Sequence, residues 1–259
     1  MTKFKLFEKL TALEVLWILL FIFVALVFIP NIISNLMTNS EDFQDEIGNN
    51  HIATSAKNPI RNDAFELTDD QKIESIKKDV HNILLTLGMD LTDDSMKGTP
   101  NRVAKMFVKE IFGGLNPSKK PSASTFDNNY KYGEMLVEKN ITLYSTCEHH
   151  LLPIIGRAHI AYISSGRVVG LSKMNRIVDY FAKRPQVQER LTMQIVQELQ
   201  KVLGTEDVAC VIDAKHLCVN SRGIRDIESS TVTSEFCGKF KEEFTRREFL
   251  DYIKLETKF

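Results

Sequence analysis

The densest group of reactive side chains in this chain is Cys147-Glu148-His149-His150. A C-x2-H spacing can place a thiolate and an imidazole on one metal ion from a strand end or a turn. Alone it falls short of the four protein ligands that a structural zinc site uses. The other cysteines are Cys210, Cys218 and Cys237. Cys210 lies inside VACVID, where a small buried apolar residue is the plain expectation, and Cys237 reads as a free thiol in a polar tail. Cys218 differs, because His216-Leu217-Cys218 puts an imidazole and a thiol two residues apart, on one side of an extended segment. Cys147, His150 and Cys218 then make three protein ligands and leave a fourth tetrahedral position for water, as in catalytic zinc sites. His149 and His216 stay beside the metal, where imidazoles can carry protons near neutral pH. His51, His81 and His159 read as loop, helix-face and strand residues.

A second group is basic: Lys173, Arg176, Lys183, Arg184 and Arg190, then Arg222 and Arg225. Arginine offers two-pronged contacts to phosphate, and a helix start adds oriented N–H groups. With 33 Lys+Arg against 34 Asp+Glu the chain carries no basic excess. That argues against a nucleic-acid binder and makes a local anion site the better expectation. Gln188-Glu189 could hydrogen-bond a planar heterocycle. Four cysteines in 259 residues are too few for a disulfide scaffold, which leaves thiols and metal ligands in a reducing compartment.

These side chains need elements to hold them. Thr68 is a good N-cap before Asp69 and Asp70. Ile73, Ile76, Val80, Ile83, Leu84 and Leu87 recur at helical spacing until Gly88, a stripe that needs a partner surface. A second helix starts at Thr99-Pro100, buries Val103, Met106, Phe107 and Phe112, and ends at Gly113-Gly114. Residues 116–132 read as loop. Short strands are expected at 141–144, 158–163 and 168–171, with Ser164-Ser165-Gly166 as a turn. A helix is expected over 173–181, and a longer one from Pro185 to Gly204. Residues 208–212 read as a buried strand and 216–219 as the arm continuing from it. Few long helices connect the strands, so the fold class is α+β with an antiparallel sheet.

The front of the chain is different. Residues 15–29 are all apolar, and no charge occurs between Glu14 and Glu41. That length can cross a bilayer, with Lys3, Lys5 and Lys9 on the inside. Equally, Met37 can be the true start and residues 1–36 a mis-called leader; a cleaved signal is the third reading. The expected division is 1–36 as this apolar segment, 37–67 as a flexible acidic lead-in, 68–130 as a helical region and 131–259 as the catalytic domain. A reduced thiolate and an intracellular substrate favour a cytoplasmic protein, membrane-anchored only if residues 15–33 are an anchor.

The strings TPNRVAKMF (99–107), STCEHH (145–150), GLSKMNRIV (170–178), RPQVQERLT (184–192) and HLCVNSRGIRD (216–226) occur in one order and register. Together they resemble GTP cyclohydrolase I, the zinc-dependent first enzyme of folate and pterin synthesis, over about residues 68–249. The resemblance implies the tunnelling fold, in which subunits join antiparallel sheets into a barrel, and a homodecamer of two pentamers with sites at subunit boundaries. It implies Zn2+ on Cys147, His150 and Cys218, and proton transfer by His149 and His216. It places guanine on Gln188 and Glu189, the triphosphate on Arg102, Lys173, Arg176 and Arg222, and ribose handling on Ser172. The substrate would be GTP and the product 7,8-dihydroneopterin triphosphate, with formate released. Two rival readings are a related tunnelling-fold enzyme acting on another purine or pterin, and a non-catalytic zinc-stabilised ring.

Overall fold

The structure is a computed structural model that describes residues 54–122 and 124–256. The apolar run at 15–29, Met37 and His51 lie outside the described residues. The elements below all belong to the unit Ser55–Phe259.

Helix α1 (Asp69–Thr86) starts on the expected cap: the Thr68 hydroxyl accepts from the Gln71 N–H, and the Gln71 side chain accepts from the Thr68 N–H. Its stripe is largely open in this chain. Ile73 is buried, but Ile83 is 58% and Leu87 71% exposed. Helix α2 (Thr99–Met106) is shorter than expected and continues as a π-helical turn over Phe107–Ile111. The four residues expected on its buried side are only half-buried, with Phe107 and Phe112 edge-on at 5.3 Å. The 116–132 segment is not all loop, because β1 (Thr125–Asp127) pairs with a later strand.

Strand β2 (Met135–Cys147) is thirteen residues long, and β3 (Pro153–Ile163) runs back beside it. Both extend well past the expected apolar stretches, because the face opposite the helices is polar along part of its length and carries little hydrophobic signal there. A bulge interrupts the β2–β3 register after Glu138, where Asn140 takes a positive φ and its N–H reaches His159 Nδ1. Strand β4 (Arg167–Val169) pairs with β1. Helix α3 (Leu171–Ala182) then begins two residues earlier than expected.

Pro185 opens no helix. Strand β5 (Pro185–Gln186) pairs in parallel with Thr146 and Cys147, and helix α4 (Gln188–Leu203) follows, closed by Gly204 in the left-handed conformation. An edge position suits proline, which has no N–H for the ladder. Strand β6 (Val208–His216) is longer than expected, and the arm expected after it is instead one helical turn, α5 (Leu217–Asn220). Two elements escape the sequence pattern altogether: edge strand β7 (Thr231–Phe236) and helix α6 (Glu243–Lys254). The sheet order is β5-β2-β3-β6-β7, antiparallel except for β5.

Helices α3 and α4 cover one face of the sheet. Met174, Ile177, Leu191, Ile195 and Leu199 pack on Leu143, Ile154, Ile160, Tyr162 and Ile212, all fully buried. A second cluster on the other face joins Met135, Ala161, Ala209 and Val211 to Phe240 and Phe249, the latter from α6. Gly114 joins the helical region to α3. Its N–H donates to Lys183 O, and a Cβ there would lie 1.9 Å from Tyr180 O, so only glycine fits.

Candidate functional site

One end of the sheet collects the reactive residues. β2 ends at Cys147, β6 ends at His216, and β5 leads into α4 at Gln188. Between β2 and β3 the chain makes a tight turn, with Leu151 N–H donating to Cys147 O and Cys147 N–H to Leu152 O. Leu151 takes φ 53° to close it. The turn carries Cys147 and His150, and α5 brings in Cys218.

The candidate ligand atoms of Cys147, His150 and Cys218 all lie within 4.8 Å of one another. Tetrahedral zinc with sulfur and nitrogen ligands wants donors about 3.5 Å apart, so small side-chain movements suffice and a fourth position stays open. The donor set fits zinc. Cys218 reaches the group through a helical turn, not through the two-residue alternation of an extended arm. Burial, and then the Cys147 thiol beside it, pushes the Cys218 thiol up, with Arg222 opposing. A cation among the three donors reverses that, since coordinated thiols are deprotonated. Cys210 is fully buried, with its thiol pushed up by burial. Cys237 is half-buried against the core and faces Glu235, placing it in packed structure and not in a polar tail.

His149 Nδ1 lies 3.6 Å from Cys147 Sγ, and the His149 ring is exposed. His216 is half-buried, and its Nε2 lies 2.7 Å from Gln188 Oε1. The Gln188 amide can be oriented from its partners: Nε2 donates toward Ile212 O, Thr231 O and Thr233 Oγ1. Its oxygen therefore faces His216, whose Nε2 must carry the hydrogen. The chain of hydroxyls behind it is consistent, because Thr192 Oγ1 donates to Gln188 O and Thr233 Oγ1 lies 2.7 Å from Thr192 Oγ1. Burial holds the His216 imidazole below its ordinary pKa, with Glu189 opposing. Gln188 is 1% exposed and both its amide atoms have protein partners in this chain. Glu189, beside it, is exposed.

The basic residues divide. Arg184 and Arg190 are structural in this chain, whereas Lys183 stays at the surface. Arg184 stacks 4.7 and 4.6 Å from the Tyr180 and Phe181 rings and donates to Gly114 O; Lys183 pairs with Asp179; Arg190 is 4% exposed and paired with Glu148. Arg184 and Arg190 are thus committed within the chain, while Lys183 lines the same cavity as Lys173 and Arg176. Ser172, Arg176, Arg102, Arg222 and Arg225 are exposed and Lys173 half-buried. Arg102 donates to Ser95 O and Thr99 Oγ1. Lys173 and Arg176 line a cavity of about 410 Å³ with Lys109 and Lys119, which sequence reasoning had not singled out. None of the three ligand residues lines that cavity. Ser145 Oγ donates to Ala182 O, which ties the C-terminal end of α3 beside Cys147. Ser172 lies ten residues away along that helix, about 15 Å. His81 is exposed on α1, and His159 sits buried on β3, as expected.

The sequence model of GTP cyclohydrolase I matches residues 76–254. The chain is 84% identical over 223 residues to the GTP cyclohydrolase 1 of Flavobacterium johnsoniae, covering 86% of this chain and 100% of the relative. It is 52% identical over 192 residues to that of Aeromonas salmonicida, covering 74% of this chain and 88% of the relative. It is also 52% identical over 188 residues to that of Vibrio cholerae, covering 72% and 87%. The matched span includes the ligand turn, the His216–Gln188 contact and the α3 basic residues, so sheet, site and sequence agree: this chain belongs to the GTP cyclohydrolase I family.

Proposed function

We propose that this protein hydrolyses the imidazole ring of the guanine of GTP at C8, releasing formate and forming 7,8-dihydroneopterin triphosphate. The observation that carries this reading is the convergence of Cys147, His150 and Cys218 with His149 and His216 flanking them. When bound, zinc supplies Lewis acidity that brings the pKa of water toward neutrality. His149 and His216 then move protons at the ring nitrogens as the C8–N bonds break. The buried Gln188 holds His216 with Nε2 protonated, leaving Nδ1 to accept or return a proton. The Glu189 carboxylate accepts from the N–H edge of guanine. Ser172 and a histidine assist the ribose as it isomerises to a 2-keto sugar, which closes onto the pyrimidine amine. Two waters enter in the hydrolytic steps and one leaves at closure, so one water is consumed overall.

The triphosphate takes no part in the bond changes, and Lys173, Arg176, Arg102 and Arg222 contribute positioning and binding energy. In one chain the start of α3 and the ligand turn lie at opposite ends of that helix. This supports sites completed between subunits, with the sheets joined into the barrel of a decamer. Closure would also cover strand edges. The test is GTP turnover by the protein, followed through formate release and neopterin fluorescence after oxidation, with and without zinc chelation. Turnover that stops on chelation and returns with Zn2+ is the expected result.

A further inference from the structure

Between the ligand Cys147 and His149 stands Glu148, for which the reading above has no use. Its N–H donates to Gln186 O, and its carboxylate receives both terminal nitrogens of Arg190, with Nη2 at 3.2 Å from Oε1. Arg190 is one residue past Glu189 and its side chain is 4% exposed; that of Glu148 is 19% exposed. The third contact of the guanidinium leaves this pair: Nε donates to Ser55 O at 2.7 Å.

Ser55 belongs to a short strap that lies before residue 76, where the family match begins. The strap is latched at Asn58, whose side chain is bonded at both atoms. Nδ2 donates to Pro185 O and Gln186 Oε1, and Oδ1 accepts from Arg184 Nη1 and Gln194 Nε2. Gln194 Nε2 also donates to Ala56 O. Strap, β5, the start of α4 and the ligand turn are thus one hydrogen-bonded assembly with Arg190 at its centre.

A buried ion pair is a weak net stabiliser, because desolvation offsets most of its attraction. What a planar guanidinium fork does well is fix direction. Here direction matters, because Glu148 stands inside the turn between the candidate ligands Cys147 and His150. The Glu148 carboxylate is a side-chain tether from the turn's centre to the body. We propose that Arg190, steadied by the Ser55–Asn58 strap, is a positioning residue that holds the Cys147–His150 turn in its metal-receiving geometry. This rests on the zinc reading above.

The experiment measures Zn2+ affinity of the full chain by competition with a chromophoric chelator, alongside the melting temperature of the zinc-free protein. Arg190→Gln and Glu148→Gln should each weaken zinc binding about 10- to 100-fold, the range for residues that orient metal ligands. The double variant should be no weaker than the worse single one, because both remove the same tether. Asn58→Ala should give a smaller loss in the same direction. Phe249→Leu, in the cluster on the opposite face, should lower the melting temperature and leave zinc affinity unchanged. Wild-type zinc affinity in folded Arg190→Gln or Glu148→Gln overturns the proposal, as does an equal loss in Phe249→Leu. If Arg190→Gln fails to fold, the milder Glu148→Gln decides. A wild-type chain that holds no zinc overturns the metal reading itself and this proposal with it.

Discussion

The two ends of helix α3 are built on different principles. At its C-terminal end lie the ligand turn, His216 and Gln188, with Gln188 almost wholly buried and bonded at both amide atoms. At its N-terminal end lie Ser172 and Arg176, exposed, and Lys173, half-buried; Lys173 and Arg176 begin a basic cavity that runs along the helix to Lys183. One end is preorganised within a single chain; the other offers flexible charged side chains. The difference matches the chemistry each would handle. Proton transfer at a ring nitrogen depends on angles and tautomers, whereas a polyanion is held by charge at several points.

The sharpest way to break the organised end is to remove a ligand. Cys147→Ser or Cys218→Ser should abolish zinc retention and turnover together, checked by metal analysis and formate release; an active metal-free variant would sink the ligand assignment. Next in size is His149→Ala, expected to keep zinc and GTP binding and lose about 10²- to 10⁴-fold in kcat, the range for a general acid or base. Gln188→Leu removes the acceptor of His216 and the donor to Ile212 O and Thr231 O. It should lower stability by about 1–3 kcal/mol, the cost of stranding buried polar groups. It should also lower kcat while leaving KM near wild type, which separates it from a guanine contact. Lys173→Ala or Arg176→Ala probes the open end. Each should raise KM about tenfold, the equivalent of one charged contact of 1.4 kcal/mol. Zinc affinity should stay unchanged, and an altered one would merge the two ends into a single unit.

The contrast also explains what could be read in the residues beforehand. Cys147 and His150 were legible because few side chains bind zinc and their spacing is local; Cys218, far along the chain, stood out through His216 two residues before it. Helices α3 and α4 announced themselves through apolar residues at helical spacing. Edge strand β7 did not, because TVTSEF is half-exposed and its role is to give Thr231 and Thr233 to Gln188. The long polar halves of β2 and β3 hid for the same reason. Arg190 and Arg184 looked like anion ligands because charge in a sequence does not say which way a side chain turns. Only tertiary contacts reveal that one pairs with Glu148 and the other stacks on Tyr180 and Phe181. The Gln188–Glu189 pair divides similarly, one buried and one exposed, since neighbours on a helix point about 100° apart.

The clasp at Gly114 has a consequence for recombination. Gly114 brings only main-chain atoms to it: its N–H donates to Lys183 O, and its O accepts from the Arg184 side chain just beyond. Apart from Arg184, a junction of this kind is nearly blind to the surrounding side chains. The helical segment around it could therefore be exchanged between relatives as a cassette wherever glycine and arginine are kept at these two positions. A single methyl group at position 114 would block the graft.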